Sequence, residues 1–284
     1  MKLVTWNIQW ARGIDDKVDC ARIARTAREI ADLDLLCLQE VAAHFPGLPG
    51  SRGEDQVAEL SRALPGYSAH FAIATDVDDG TAARSRFGNL ILSRLPVAQV
   101  YRHLLPWPAD PGCKSMQRVA IEAVVLAPWG PLRVMTTHLE YYSQIQRTAQ
   151  VNALRALHRE ACSHASAPRK DEPGQPFMVK PRPASAILAG DFNFTPDSAD
   201  YRHVLSAFDT DVVPDLLDSW TIAHAKLPHA PTAGVHENSW ATTPICCDFA
   251  FVTADLARRV RKVEVDARTQ ASDHQPVLLE LDDR

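Results

Sequence analysis

The sequence predicts an α/β protein in which apolar strands alternate with amphipathic helices, and three observations support this. Short apolar runs recur along the chain, among them Leu35-Leu36-Cys37-Leu38, Ala186-Ile187-Leu188-Ala189 and Val277–Leu281. Apolar residues at helical spacing (Ile23, Ala24, Ala27, Ile30) separate two of the early strands. Acids, amides and histidines gather where such runs meet loops, at Asn7, Gln39-Glu40, Asp191-Phe192-Asn193 and Ser272-Asp273-His274. The pattern is compatible with two sheets packed face to face and flanked by helices, and equally with a doubly wound sheet. A chain of 284 residues can bury roughly three quarters of its unfolded surface, enough for a substantial core.

The elements follow in order. Leu3–Ile8 reads as the first strand. Asp19 caps a helix reaching about Ala31, because a short polar side chain there can accept from the free N–H groups of the first turn. Leu35–Leu38 is a buried strand with Glu40 at its exit. Glu54–Leu64 reads as a helix closed by Pro65-Gly66. Strands are expected at Ser68–Ile73, Asn89–Leu92, Gln117–Leu126 and Leu132–Thr137, then a long helix over Ser143–His164. The stretch 167–183 is rich in Pro and basic residues and reads as an exposed loop; Arg169, Lys170, Lys180 and Arg182 there could meet a polyanion, but are first read as solvated. Strands at Ser185–Ala189, Asp248–Thr253, Val260–Val265 and Val277–Leu281 complete the chain, with no internal repeat.

Composition narrows the function. Hydrophobic content of 46% and charged content of 23% are those of an ordinary soluble domain. A formal net charge of −5 lacks the basic footprint of a duplex-binding protein, although a local basic groove remains compatible with it. The six cysteines show no CxxC spacing and no disulfide framework, and Cys37 reads as a core residue. No apolar run reaches the length of a membrane span, and because Met1-Lys2-Leu3 leads straight into a strand, no signal peptide is expected. The expected compartment is the cytoplasm; nothing in the sequence sets an oligomeric state.

The dispersed polar set suits a divalent cation and a phosphate. Phosphate ester hydrolysis needs charge stabilised on non-bridging oxygens, an activated water and a stabilised leaving group. Mg²⁺ serves the first and third tasks through one or two carboxylates while keeping open positions. On an extended segment, the i, i+2 spacing of Asp191 and Asn193 turns both to one face and Phe192 to the core. Each residue also has a plainer reading: Glu40 as a solvated strand end, Asn7 as a turn asparagine, His274 as a surface histidine. Those readings weaken because the motifs occur together.

TWNIQW (5–10), LQEV (38–41), TTHLE (136–140), AGDFN (189–193), CDFAFVT (247–253) and SDHQPV (272–277) together resemble the endonuclease/exonuclease/phosphatase superfamily, in family order over nearly the whole chain. The resemblance implies a four-layer α/β sandwich, two packed mixed sheets flanked by helices. Because motifs from both ends then form one site, it also implies a single domain, 1–284. It implies Glu40 as principal metal ligand, Asn7 positioning metal or phosphate, and Asp273 reaching the metal directly or through water. The metal is Mg²⁺, with Mn²⁺ as a substitute. Asp191 orients or deprotonates the attacking water, Asn193 holds phosphate or developing charge, and His274 contacts phosphate or acts as acid or base. Asp248 fixes the His274 tautomer, and His138 stabilises the transition state or assists the leaving group. Arg118 reads either as a phosphate contact or as an ion-paired arginine, and Arg147 and Gln150 as supports beneath the motif loops.

The implied reaction is hydrolysis of a phosphodiester, first in a nucleic acid or nucleotide conjugate, alternatively in a phospholipid or small phosphate ester. A non-enzymatic binding module would predict an eroded site, and the polar set is complete. His138-Leu139-Glu140 departs from the tyrosine of exonuclease III-like AP endonucleases and resembles tyrosyl-DNA phosphodiesterases and bacterial relatives of neutral sphingomyelinases. Phe249 stands where inositol-polyphosphate 5-phosphatases carry arginine. Two segments are expected to select substrate: the His103–Pro108 loop with Trp107, which could stack a base, insert into a lipid interface or, most commonly for such a loop, simply pack as a lid, and the Glu140–Ser143 segment with Tyr141 and Tyr142.

Overall fold

The computed structural model describes residues 1–78, 80, 83–174, 176–236 and 243–283. Its first half contains β1 (Lys2–Asn7), α1 (Cys20–Ile30), β2 (Leu35–Ala43), α2 (Gln56–Ala63), β3 (Ser68–Val77), β4 (Ser85–Ser93), β5 (Val97–Leu104), β6 (Val119–Ala127) and β7 (Gly130–His138). The second half contains α3 (Gln144–Ser166), β8 (Ala186–Asp191), α4 (Ala199–Val204), β9 (Leu216–Asp218), α5 (Ser219–His224), β10 (Asp248–Thr253), β11 (Val260–Val265) and β12 (Val277–Leu281).

Among the described residues these strands form two six-stranded sheets. Their orders are β11-β12-β1-β2-β4-β3 and β5-β6-β7-β8-β10-β9. Alternation along each strand builds the layers. On β1 and β2, Leu3, Leu35 and Cys37 face inward and meet Ile121, Val134 and Ile187 of the second sheet in one core. Val4, Trp6, Leu36 and Leu38 face outward and are covered by Ile23, Ala24, Ala27 of α1 and Leu60 of α2. Val151 and Leu154 of α3 cover Met135, Leu188 and Phe251 on the outer face of the second sheet. The result is helix, sheet, sheet, helix.

Local chemistry sets the helix starts. Asp19 accepts from Arg22 N, Asp55 from Ala58 N, and Ser143 from Gln146 N. The predicted start at Glu54 lies one residue ahead of this cap.

Each sheet has one parallel pair at its centre, β1–β2 and β7–β8. The pairs are joined through α1 and α3, as a parallel connection requires. Asn7 pairs with Gln39 and His138 with Asp191, so β1, β7 and β8 end on motif residues and β2 carries its own beside the end of β1. Every other pairing is antiparallel. Accordingly β10 begins at Asp248 opposite Asp191, and β12 begins at Val277 opposite Thr5.

Three expectations need correction. His103 and Leu104 belong to β5, not to a loop. Arg182 is buried rather than solvated, because Glu122 at 2.9 Å and Glu160 at 2.7 Å hold its guanidinium beside Tyr101. β5, β9, α4 and α5 were not foreseen; the last three are too short to show a periodic pattern.

Candidate active site

Glu40 is not at a strand exit as expected. β2 runs on to Ala43, and its pairing with β4 slips between Leu38 and Val41, a bulge centred on Gln39-Glu40. Glu40 takes φ 57, a left-handed conformation that costs a non-glycine residue energy. The bulge separates two neighbours: the Gln39 amide turns into the core to Thr5 and Thr136, and Glu40 stays partly exposed at the site. Asn7 Nδ2 donates to Glu40 Oε1 at 3.1 Å and to Asp191 Oδ2 at 3.0 Å. Its Oδ1 accepts from Gln9 N. Asn7 thus presents its nitrogen, which cannot ligate a cation, and links two carboxylates from different sheets.

His138 and Asp191 come from adjacent β7 and β8. His138 Nε2 is 3.4 Å from Asp191 Oδ2, and Nδ1 is 3.8 Å from Glu40 Oε1. The strands approach closely at Gly190, whose φ is 147 and where a Cβ would sit 2.0 Å from Thr137 O. Phe192 is buried as predicted. Asn193 is not on an extended segment: its φ is 52, its N–H donates to Asp191 Oδ1, and its side-chain Nδ2 donates to Leu139 O. The expected common face with Asp191 is therefore replaced by a turn that steadies the Asp191 carboxylate.

His274 closes the cluster. Its Nδ1 is 2.9 Å from Asp248 Oδ2, and its Nε2 is 3.8 Å from Asp191 Oδ2. Thr232 Oγ1 donates to Asp248 Oδ2 at 2.6 Å, and Trp6 Nε1 donates to His274 O. Asp273 accepts from Gln9 Nε2 at 2.7 Å and from Ser272 Oγ at 3.2 Å. Sequence reasoning missed Gln9 and Thr232. Gln9 lies within the first motif, and three consecutive left-handed residues, Gln9 to Ala11, turn it back to the site. Thr232 lies in a loop with no sequence signal.

The endonuclease/exonuclease/phosphatase family profile matches residues 4–274. The chain belongs to that family. Its fold is similar to an endonuclease/exonuclease/phosphatase from Beutenbergia cavernae, with 25% identity, TM-score 0.65, and coverage of 99% of this chain and 71% of that one. It is also similar to a mannosyl-6-phosphatase from Bacteroides thetaiotaomicron, with 17% identity, TM-score 0.67 and 99% of both chains covered. The 3′ phosphatase NExo from Neisseria, bound to a product DNA hairpin, aligns with 20% identity, TM-score 0.61 and 99% of both chains. No curated protein matches the chain significantly.

Electrostatics in this family member follow from burial. Burial and the Asp273 charge raise the Glu40 carboxyl to about 7. Burial and the Asp248 charge raise Asp191. Burial opposes protonation of His274, but the Asp248 and Asp191 carboxylates outweigh it and hold His274 well above the ordinary histidine value. Burial, with the Arg118 guanidinium and His274, pushes His138 well below it. Enzymes of this family are phosphoester hydrolases that generally depend on a divalent cation. The donor set here fits one: Glu40 and Asp273 are oxygen donors whose mutual repulsion a hard cation would relieve.

Arg118 proves to be ion-paired. Its Nε meets Glu140 Oε2 at 3.2 Å, with Glu140 fully buried. The other Glu140 oxygen accepts the N–H groups of Tyr141 and Tyr142. Arg147 donates to Glu140 O and Tyr141 O, and Gln150 accepts from Glu140 N, so both support the motif loop as expected. Tyr141, Tyr142 and Trp107 remain exposed at this edge, with Lys114 over the Tyr142 ring. Among the described residues, no helix is long and apolar enough to cross a membrane.

Proposed function

We propose that this protein is a Mg²⁺-dependent phosphodiesterase, with Mn²⁺ as a working substitute, acting on a nucleic acid or nucleotide conjugate. The observation that carries this reading is the convergence of Glu40, Asn7, His138, Asp191, Asp248 and His274 from both sheets. Glu40 and Asp273 would hold the cation, which supplies charge stabilisation to the phosphate oxygens and the leaving group. Asn7 positions Glu40 and Asp191 relative to each other. Asp191, raised toward neutrality, accepts the proton of the attacking water. His274, kept protonated by Asp248, binds a phosphate oxygen. His138, neutral, donates a hydrogen bond to the developing charge. The Asn193 turn holds the Asp191 carboxylate in place.

The exposed rings of Trp107, Tyr141 and Tyr142, with Lys114 beside them, favour a substrate with bases to stack and phosphates to pair. The Trp107 indole is fixed by Ser115 Oγ, and Gln146 ties this loop to α3. A phospholipid headgroup is the second reading, favoured by the same exposed rings. We also read residues 1–284 as one domain, because one core joins both sheets, and as cytoplasmic, because all six cysteines are free thiols.

The test is Mg²⁺-dependent cleavage across single-stranded DNA, abasic duplex DNA, a 5′-tyrosyl oligonucleotide, sphingomyelin micelles and an inositol phosphate, with Asp191→Ala as blank. Cleavage of a nucleic acid above the blank is expected. Turnover of the lipid or small ester alone would overturn the substrate class.

A further inference from the structure

Cys247 and Asp248, behind the His274 ring, form with it a donor group of a different kind from the oxygens around Glu40. Cys247 Sγ lies 3.5 Å from Asp248 Oδ2 and 4.0 Å from His274 Nδ1, and Oδ2 and Nδ1 are 2.9 Å apart. All three donors fall within 4.8 Å of one another and are buried. Sulfur, nitrogen and oxygen bound tetrahedrally to one Zn²⁺ stand roughly 3.3–3.6 Å apart, given the usual bond lengths. The observed separations bracket that range, so small side-chain shifts suffice.

A second observation points the same way. Asp248 Oδ1 is buried and finds no hydrogen-bond partner among the described residues. Thr232, Cys247 and His274 all meet the other oxygen, Oδ2. A buried carboxylate oxygen without a partner is costly and open to a cation. Sulfur and imidazole donors select Zn²⁺ or a similarly soft ion over Mg²⁺.

We propose that Cys247, Asp248 and His274 form a binding site for a soft divalent cation such as Zn²⁺, separate from the carboxylate cluster at Glu40, and that filling it switches the enzyme off. Binding forms bonds from the ion to Cys247 Sγ, Asp248 oxygen and His274 Nδ1, and releases the Sγ and Nδ1 protons to solvent. The hydrogen bond that orients His274 is lost in the same step. The binding part stands on geometry alone; the inhibition part rests on the phosphodiesterase reading.

Co²⁺ is the probe, because a thiolate ligand gives it a charge-transfer band in the near ultraviolet. The band is expected in the wild type and in Cys113→Ser, which removes an exposed thiol, and is expected to vanish in Cys247→Ala. Absence of the band in the wild type, or its persistence in Cys247→Ala, overturns the site. Zn²⁺ at a few equivalents should abolish Mg²⁺-supported turnover in the wild type, and Cys247→Ala should need at least tenfold more. Equal sensitivity would assign the inhibition to the Glu40 cluster and overturn the switch. A Co²⁺ band without turnover on any substrate would leave the site standing and count against the phosphodiesterase reading. If Cys247→Ala fails to fold, the wild-type and Cys113→Ser spectra still decide whether a buried thiolate binds the ion.

Discussion

Asp248 Oδ2 and His274 Nδ1 sit 2.9 Å apart, although Asp248 opens a strand of one sheet and His274 precedes a strand of the other. The pair fixes which ring nitrogen faces the site, because Nδ1 is committed to the carboxylate and Nε2 points toward Asp191. Asp248→Asn keeps the shape and loses the charge. Turnover should fall by about a hundredfold or more, and KM should rise as well, because His274 loses the charge with which it meets the phosphate. Near-normal kcat would show that the dyad does not orient the histidine.

The raised Glu40 carboxyl gives a pH dependence with a definite sign. Its folded pKa, about 7, lies above its unfolded value, so the metal-free folded state carries an extra proton between roughly pH 4.5 and 7. This contribution favours the folded state below that window and is lost as pH rises through it. A cation binds the carboxylate form, so Mg²⁺ affinity should fall as pH drops below about 7. Thermal melts at pH 5.5 and 8 should show the larger Mg²⁺-induced rise at pH 8. Glu40→Gln should flatten that difference, and an unchanged difference would remove Glu40 from the metal site.

Glu140 is held by Arg118 and by two backbone N–H groups, with no exposed surface. Glu140→Ala leaves a buried guanidinium without its partner, and should cost about 3 kcal/mol or more. Urea denaturation reads this directly. A loss below about 1 kcal/mol would mean that Arg118 finds another partner.

Gly190 cannot carry a side chain, since Thr137 O occupies the place of its Cβ and its φ of 147 disfavours any other residue. Gly190→Ala should push β8 from β7, separating Asp191 from His138. Greatly reduced soluble yield, or a folded protein without activity, is expected; full activity would contradict the close approach.

Trp107→Ala removes an exposed ring fixed by one hydrogen bond, so stability should hardly change. If the ring stacks on a base, KM for a single-stranded oligonucleotide should rise about tenfold, within the ~1–3 kcal/mol range for such contacts, at constant kcat. Equal kinetics on the oligonucleotide, with weaker binding to zwitterionic vesicles, would favour the phospholipid reading.

The sequence by itself determined the α/β class, most strand and helix positions, the six motifs and the family. Alternation and helical spacing are local properties, and the motif strings need no third dimension. Strand ends were less legible. β2 was cut short at Leu38 because a polar Gln39-Glu40 resembles a strand exit, whereas in the fold Gln39 finds Thr5 and Thr136 and the strand continues beyond a bulge. The Arg182 pairing was hidden because Glu122 lies 60 residues away, and composition alone could not predict that the two would meet. The tertiary structure alone decided that Asn7 presents its nitrogen to Glu40 and Asp191, and that Gln9 and Thr232 hold Asp273 and Asp248. Of these, the Asn7–Asp191 contact joins the two sheets, across 184 residues of sequence. Its geometry follows from how the central strands stack over a shared core, which no local pattern encodes.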